Sequence, residues 1–288
     1  MVMKKFALAA LSIAALIRPA IAEAADGTRA PTNKWTVDFG ERQCLASRNY
    51  GSAASPLFLA LKAPAVGDVV AVMIVRPGQD TRFAQQGDAL IGLDGKRILN
   101  KSALLVTSQE TKQRVMRMIL SAEEFDEFAR ANVADFKIRG EVDEKLALSQ
   151  MPGMAKTLGN CIAALRTHWN IGAPDGPPLL RQGAMGNLQG IFSSDDFPDI
   201  AMHKDQGGTV RVSLLIDESG KVADCTVVES SGAASLDSQS CYVITKRAQF
   251  KPALGLDGKA ARSNLTQRVT WRPKAKLIGG EASPLPRN

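Results

Sequence analysis

Metal-ligating and redox-active residues are scarce in this sequence. Its 288 residues include two histidines, His168 and His203, and four cysteines, none of which forms a C-x-x-C pair. Zinc sites and thiol redox sites need such residues at short, regular spacings. The two histidines also lie far apart along the chain. We therefore expect no metal site and no cofactor.

Residues that would mark an enzyme or a nucleic-acid binder are also few. No G-x-S-x-G or other recognisable nucleophile context surrounds a serine, and the Ser230-Ser231-Gly232 segment is explained as a turn. Aromatic residues make up 5% of the chain, which is too few for a base-stacking platform. The net charge is +7, but residues 197–273 carry 10 Lys and Arg against 8 Asp and Glu, which is typical of a mixed solvated surface. We predict neither catalysis nor nucleic-acid binding.

No apolar run in the sequence has the roughly 20 residues that a membrane-spanning helix needs. The run at residues 6–17 has 12 residues, follows Lys4 and Lys5, and ends at an Arg-Pro pair. Small residues in A-x-A frames come directly afterwards, at residues 20–24. This pattern predicts a secretory signal peptide at residues 1–24 and a periplasmic mature protein. The alternative is an uncleaved anchor in the inner membrane.

The four cysteines are expected to form disulfides, because an exported chain meets an oxidising compartment. Cys44, Cys161, Cys225 and Cys241 allow three pairings. Cys225 is on the inward face of a predicted strand and Cys241 is on the helix that follows, which predicts a bond between these two. Cys44 and Cys161 are left to pair within the N-terminal part of the chain. Two free buried thiols are the alternative there.

Residues 171–190 are rich in Gly and Pro and lack periodicity, so we predict that they form a linker. The linker separates an N-terminal α+β domain of unknown family, residues 30–170, from a smaller domain at residues 191–275. The N-terminal domain is expected to begin with strands and to end with two helices, the first of them capped by Ser121. Residues 276–288 are expected to form a disordered tail.

The smaller domain shows the order strand, strand, helix, strand. Its first strand alternates apolar and polar residues, and a turn containing Gly220 leads to a return strand at residues 222–230. Ser235 is a candidate N-cap for a helix that runs to about Phe250, and residues 264–272 alternate again. The predicted fold class of the chain is α+β. In the smaller domain one helix packs on an antiparallel sheet.

Many positions in residues 197–273 follow a known family pattern. They are Phe197-Pro198 and Ala201, Gly208-Thr-Val, Asp217, Gly220-Lys-Val, Val227 and Val228, Ser230-Ser-Gly232, Leu236-Asp237, Phe250-Lys-Pro-Ala253, Gly258-Lys259, Val269 and Trp271. The segment resembles the C-terminal domain of TonB-type energy transducers. It covers little more than a quarter of the chain, and residues 30–170 show no comparable resemblance.

The resemblance implies a binding function that is carried by the last strand. In the family this domain pairs its last strand with a short segment of an outer-membrane TonB-dependent receptor, which is β-augmentation. A polar strand face that is only solvated is the alternative interpretation. The residues that the corresponding strand would offer are Thr266, Gln267, Arg268, Val269, Thr270 and Arg272.

Two departures from the family pattern limit what the resemblance implies. TonB transducers carry an N-terminal anchoring helix and a long Pro-rich spacer, whereas this chain has a predicted export signal and a 20-residue linker. We therefore expect a periplasmic relative that binds envelope proteins and is related to TonB-dependent transport. A soluble ligand-binding or scaffold protein without a transport role is one alternative, and an enzyme that uses His168 or His203 is another. The sequence does not indicate the oligomeric state.

Overall fold

A computed structural model describes four stretches of the chain, which are residues 27–78, 85–108, 110–173 and 176–273. The predicted signal peptide, residues 1–24, and the predicted tail, residues 276–288, lie outside the described residues. Within them the fold is α+β and contains far more strand than helix, so the predicted fold class is confirmed.

Among the described residues, ten strands between Thr28 and Ala147 form one sheet. Its strands lie in the spatial order β1-β10-β9-β6-β7-β8-β5-β4-β3-β2, and all neighbours are antiparallel except β1 and β10. In chain order the strands are β1 (Thr28–Arg29), β2 (Thr36–Phe39), β3 (Cys44–Asn49), β4 (Phe58–Ala63), β5 (Val69–Pro77), β6 (Gln85–Leu93), β7 (Arg97–Thr107), β8 (Gln113–Ser121), β9 (Val133–Ile138) and β10 (Val142–Ala147).

The ten-stranded sheet curls until its two edges approach each other. Its outermost strands, β1 and β2, are joined by residues 30–35 alone, so they lie close together at opposite ends of the sheet. A hydrogen bond from Tyr50 Oη to Ala147 O (2.9 Å) links the end of β3 to the end of β10. Alternate side chains point into the curl, as Val72 and Ile74 do on β5, and form one buried core.

Two helices cover this core. α1 (Ala122–Arg130) begins after its N-cap Ser121, which forms a capping box with Glu124, so the predicted cap is confirmed. α2 (Met151–His168) buries the face that carries Met154, Leu158 and Cys161.

The expected order of strands first and helices later is wrong at one place. A hairpin, β9 and β10, lies between α1 and α2. Ala134, Phe136 and Ile138 are buried at alternate positions of β9, and Gly140 takes a positive φ in the turn. Apolar residues at alternate positions, followed by a turn with glycine, are a hairpin signal, so this hairpin was recognisable from the sequence.

The C-terminal part contains two three-stranded sheets. One has the order β13-β12-β16 with α4 packed on it, and the other has the order β11-β14-β15. The predicted order strand, strand, helix, strand is confirmed for β12, β13, α4 and β16. The elements are β11 (Leu180–Gln182), α3 (Asp199–His203), β12 (Gly208–Ile216), β13 (Val222–Glu229), α4 (Ala234–Arg247), β14 (Ala253–Gly255), β15 (Ala260–Ala261) and β16 (Ser263–Trp271).

Part of the segment predicted as a linker, residues 171–190, is structured. β11 lies within it and pairs with β14. Met185 and Lys251 then exchange two backbone hydrogen bonds, of 3.0 and 2.8 Å. A three-residue strand is too short to show a period, so the Gly and Pro content of the segment predicted a linker instead.

α4 differs from its prediction at both ends. It begins one residue before Ser235, and its N-cap is Ala233, which has no side chain able to cap. It ends at Arg247 because Phe250 N donates instead to Gly220 O (2.9 Å). Gly220 has φ +79°, and a Cβ there would lie 1.9 Å from Phe250 O, so this turn requires glycine.

The C-terminal part packs against the outer face of the ten-stranded sheet. Ser102 Oγ accepts a hydrogen bond from Ala234 N (3.3 Å), and Gln86 Oε1 accepts one from Ser235 N (3.0 Å). The N-terminal sheet therefore supplies the cap that α4 lacks in its own sequence. Leu215 of β12 also packs with the core of the N-terminal part.

Candidate strand-docking edge

β16 lies at one edge of the sheet β13-β12-β16. It pairs with β12 along nine residues, from Trp271 opposite Gly208 to Ser263 opposite Ile216. No strand in the described part of the chain pairs with its other side. Its outward backbone groups are therefore available to a further strand.

The side chains of β16 alternate between two faces of the sheet. Val269 and Trp271 are buried in the core beneath α4, whereas the opposite face is polar and exposed. The structure places every residue predicted for the docking edge on this strand or directly after it. These residues are Thr266, Gln267, Arg268, Val269, Thr270 and Arg272.

A groove of about 520 Å³ runs beside this edge. One wall is the second half of β16, and the other wall is formed by residues between 188 and 202. Phe192 and Phe197 meet Trp271 edge-on, with ring centroids 5.4 and 5.6 Å from it. Phe192 and Phe197 are partly exposed and give the groove an apolar surface next to the unpaired backbone of β16, while the buried Trp271 packs against both rings.

The groove is also positively charged. Arg268 and Arg272 line it, and no acidic residue of the described chain does. Both arginines are exposed, so their charges remain hydrated and available to a partner. The arrangement therefore combines hydrogen-bonding backbone, apolar surface and positive charge.

Asp196 fixes the wall of the groove that faces β16. It ends a 3₁₀ turn at Ser194–Asp196, and both of its oxygens accept hydrogen bonds from Arg247 of α4 (2.6 and 2.9 Å). Ser193 N donates a third (2.8 Å). These bonds, those from Arg247 above all, lower the pKa of Asp196 to about 2. The carboxylate is thus ionised and bound to α4 at neutral pH.

The turn before α4 is organised by Asp237. Its carboxylate accepts hydrogen bonds from Ser231 N (2.8 Å), from Ser231 Oγ (2.8 Å) and from Ser230 Oγ. These bonds account for the Ser230-Ser231-Gly232 segment as a turn.

The four cysteines that were predicted to form disulfides are bonded in two pairs. Cys225 on β13 is bonded to Cys241 on α4, with their Cα atoms 5.4 Å apart. Cys44 on β3 is bonded to Cys161 on α2, with their Cα atoms 5.9 Å apart. Each bond lies within one part of the chain, so neither one joins the N-terminal part to the C-terminal part.

From the 3₁₀ turn to the end of β16, the chain has the arrangement that the sequence resemblance implies. Residues 194–273 match the family described as Gram-negative bacterial TonB protein C-terminal. The match confirms the resemblance for this segment, which is little more than a quarter of the chain. This TonB C-terminal segment includes β16 and most of the groove. The chain matches no curated protein and no solved structure at a significant level.

TonB proteins are associated with the cell envelope and act through contacts with other envelope proteins. Of the helices that the structure describes, none is both long enough and apolar enough to span a membrane. No three His, Cys, Asp or Glu side chains of the described residues are placed to hold a metal ion. His168 lies beside Arg262 at the end of α2, and His203 ends α3, so the two histidines share no site.

Several residues of the groove were not identified from the sequence. Leu188 falls within the predicted linker, and Phe192 and Met202 belong to no predicted site, yet all three line the groove. Their segment has no period that would mark them as one surface. The two phenylalanines around residues 193–196 are the signal that could have found it.

Proposed function

We propose that this protein is a periplasmic TonB-family protein that binds an envelope partner by adding a strand of that partner to β16. The observation that carries the proposal is the unpaired side of β16 next to the groove of Phe192, Phe197 and Trp271. An added strand lies about 4.8 Å from its neighbour, so its side chains come directly beside this surface.

Backbone pairing and side-chain contacts have different roles in this mode of binding. Main-chain hydrogen bonds supply affinity, and pockets for alternate side chains supply selectivity. Side chains on one face of the added strand would contact the partly exposed rings of Phe192 and Phe197, which favours apolar residues. Those near Arg268 and Arg272 would meet positive charge, which favours acidic residues. The partner segment is therefore extended, with apolar and acidic residues.

An outer-membrane TonB-dependent receptor is the partner that the family match supports. The packing of the two parts of the chain supports a role in binding a partner rather than in transmitting force to it. Ser102 and Gln86 of the N-terminal sheet cap α4, so the TonB C-terminal segment is held on a neighbouring globular part. The same contact favours a second candidate, a periplasmic scaffold without a transport role. Neither role includes a catalytic step.

Site-specific photo-crosslinking in intact cells tests the proposal. A crosslinking amino acid at Thr266 or Thr270, both exposed on β16, should capture the periplasm-facing segment of an outer-membrane receptor. The same amino acid at Asp143, exposed on β10 in the N-terminal sheet, is the matched control and should not. Capture of other envelope proteins at β16 would favour the scaffold. Equal capture at Asp143, or no capture at β16, would contradict strand docking.

Envelope fractionation tests the location separately. We expect a soluble periplasmic product from which residues 1–24 have been removed. A full-length chain held in the inner membrane would contradict the periplasmic assignment.

A further inference from the structure

A second cavity, of about 250 Å³, lies between the N-terminal sheet and the start of α4. It is distinct from the groove beside β16 and shares no lining residue with it. Asn100 and Gly232, both exposed, line it, so the cavity reaches the surface. Its lining includes the polar side chains of Lys101, Ser102 and Arg117 from the sheet.

Arg117 is the unusual residue of this cavity. It lies on β8 between Met116 and Met118, which point into the core, and its own side chain is directed to the opposite face, against the C-terminal part. Its guanidinium makes no hydrogen bond or ion pair with any residue that the structure describes. A guanidinium has five N–H donors, and Arg117 is half-buried, so part of its hydration is lost without a protein acceptor to replace it.

Asp237, from the C-terminal part of the chain, lines the same cavity. It is close enough to Arg117 to raise the pKa of the guanidinium, but the two do not form an ion pair. Burial lowers the pKa of Arg117 and raises that of Asp237, so each charge is only partly compensated. The three hydrogen bonds that Asp237 accepts leave its carboxylate room for one more donor.

The remaining charge in the cavity is already balanced. Lys101 Nζ donates to both carboxylate oxygens of Glu124 (3.0 and 2.8 Å). Ser102 Oγ is engaged with Ala234 N (3.3 Å). Arg117 and Asp237 are therefore the two groups that a ligand would compensate, one positive and one negative, both lining one small cavity.

We propose that this cavity binds a small zwitterion of the α-amino acid type, with its carboxylate on Arg117 and its ammonium group toward Asp237. The guanidinium fork matches a carboxylate in two parallel hydrogen bonds. A dianion such as phosphate would face Asp237 with charge of the same sign, which disfavours it. A ligand in this position contacts both parts of the chain and so stabilises their packing.

Calorimetry and thermal unfolding of the purified protein test the site with four probes: L-serine, acetate, methylamine and inorganic phosphate. L-serine should bind and raise the melting temperature, while acetate and methylamine, which each satisfy one charge, should bind more weakly. Arg117→Gln should weaken serine binding about tenfold or more, because it removes charge-assisted hydrogen bonds. Arg117→Lys keeps the charge without the fork, so it should give an intermediate affinity.

The control is Arg268→Gln, at the groove beside β16, which should leave serine binding unchanged. Binding of acetate or phosphate as strong as that of serine would overturn the zwitterion assignment. If none of the four probes binds the parent protein, or if Arg117→Gln and Arg117→Lys both bind serine as the parent does, the proposed site does not exist.

Discussion

Trp271 Nε1 donates a hydrogen bond of 2.8 Å to Ser240 Oγ, and both residues are buried. Ser240 Oγ in turn donates to Leu236 O (2.9 Å) within α4. The end of β16 is thereby fixed to the helix that covers its sheet. The same indole ring contacts Phe192 and Phe197, so this bond helps to shape the groove.

Ser240→Ala should destabilise the protein, because it leaves the buried indole N–H without an acceptor. The expected loss in the free energy of unfolding is about 1–3 kcal/mol. Ser235→Ala on the same helix is the matched control. Ser235 Oγ is buried and has no partner, so its removal should be neutral or stabilising. Equal losses in the two variants, measured by urea unfolding, would contradict this account of Trp271.

Replacing Cys241 by Ser should remove the bond between β13 and α4. The bond closes a loop of 16 residues, and the chain-entropy model gives about 3 kcal/mol for a loop of this length. Thermal unfolding with and without reductant measures the effect. The double variant Cys225→Ser, Cys241→Ser should resemble the single one, and a melting temperature unchanged from the parent would contradict the prediction.

The ion pair of Asp196 and Arg247 predicts a pH dependence of stability. The pKa of Asp196 is lowered from 3.8 to about 2 in the folded protein, so the unfolded chain takes up this proton first as the pH falls. The stabilisation that ionised Asp196 gives the folded protein is fully present above about pH 4 and is lost as the pH falls toward about 2. Asp196→Asn should flatten this part of the stability curve. Asp257→Asn, at an exposed pair with Lys259, is the control and should change little.

The arginines of the groove should contribute less to the affinity for a partner than the backbone hydrogen bonds of β16 do. Arg268→Glu should weaken capture of an envelope partner, and more so at low salt, since exposed charge pairs contribute about 0–1 kcal/mol and are screened. Crosslinking yield from Thr270 at two salt concentrations, in permeabilised cells, measures this. Lys259→Glu, an exposed reversal outside the groove, is the control. A loss that does not depend on salt would show that Arg268 acts by another mechanism.

Strands with one buried face were predictable from the sequence. Very short strands, and helix caps supplied by residues far away in the chain, were not. β16 alternates along most of its nine residues, and β12 alternates from Thr209 to Val212 before its last five residues are all buried, so both carry at least part of the period that marks a strand. β11 has three residues and shows no period. The N-cap of α4, predicted at Ser235, was wrong because Ser102 and Gln86, about 130 to 150 residues earlier in the chain, accept the hydrogen bonds of the first helical N–H groups.

Of the candidate site, the strand β16 was predictable from the sequence, whereas the groove beside it was not. The docking strand follows from alternation and from the family pattern, both of which are local in the sequence. The groove depends on Phe192 and Asp196, whose partners Trp271 and Arg247 are 51 or more residues away. Such pairings leave no mark in a single sequence, and the cavity of Arg117 and Asp237 needs both parts of the chain in place.

The most direct test of strand docking is the crosslinking yield from Thr270 in variants with proline at Thr266, Gln267 or Arg268. Proline removes one backbone donor. Neighbouring residues of a strand direct their N–H groups to opposite sides, so Thr266 and Arg268 should behave alike and Gln267 differently. Proline at an outward N–H should abolish capture and leave the protein folded, whereas proline at an N–H bonded to β12 should lower the melting temperature. If all three variants are folded and capture the partner as well as the parent does, β16 is not the binding edge.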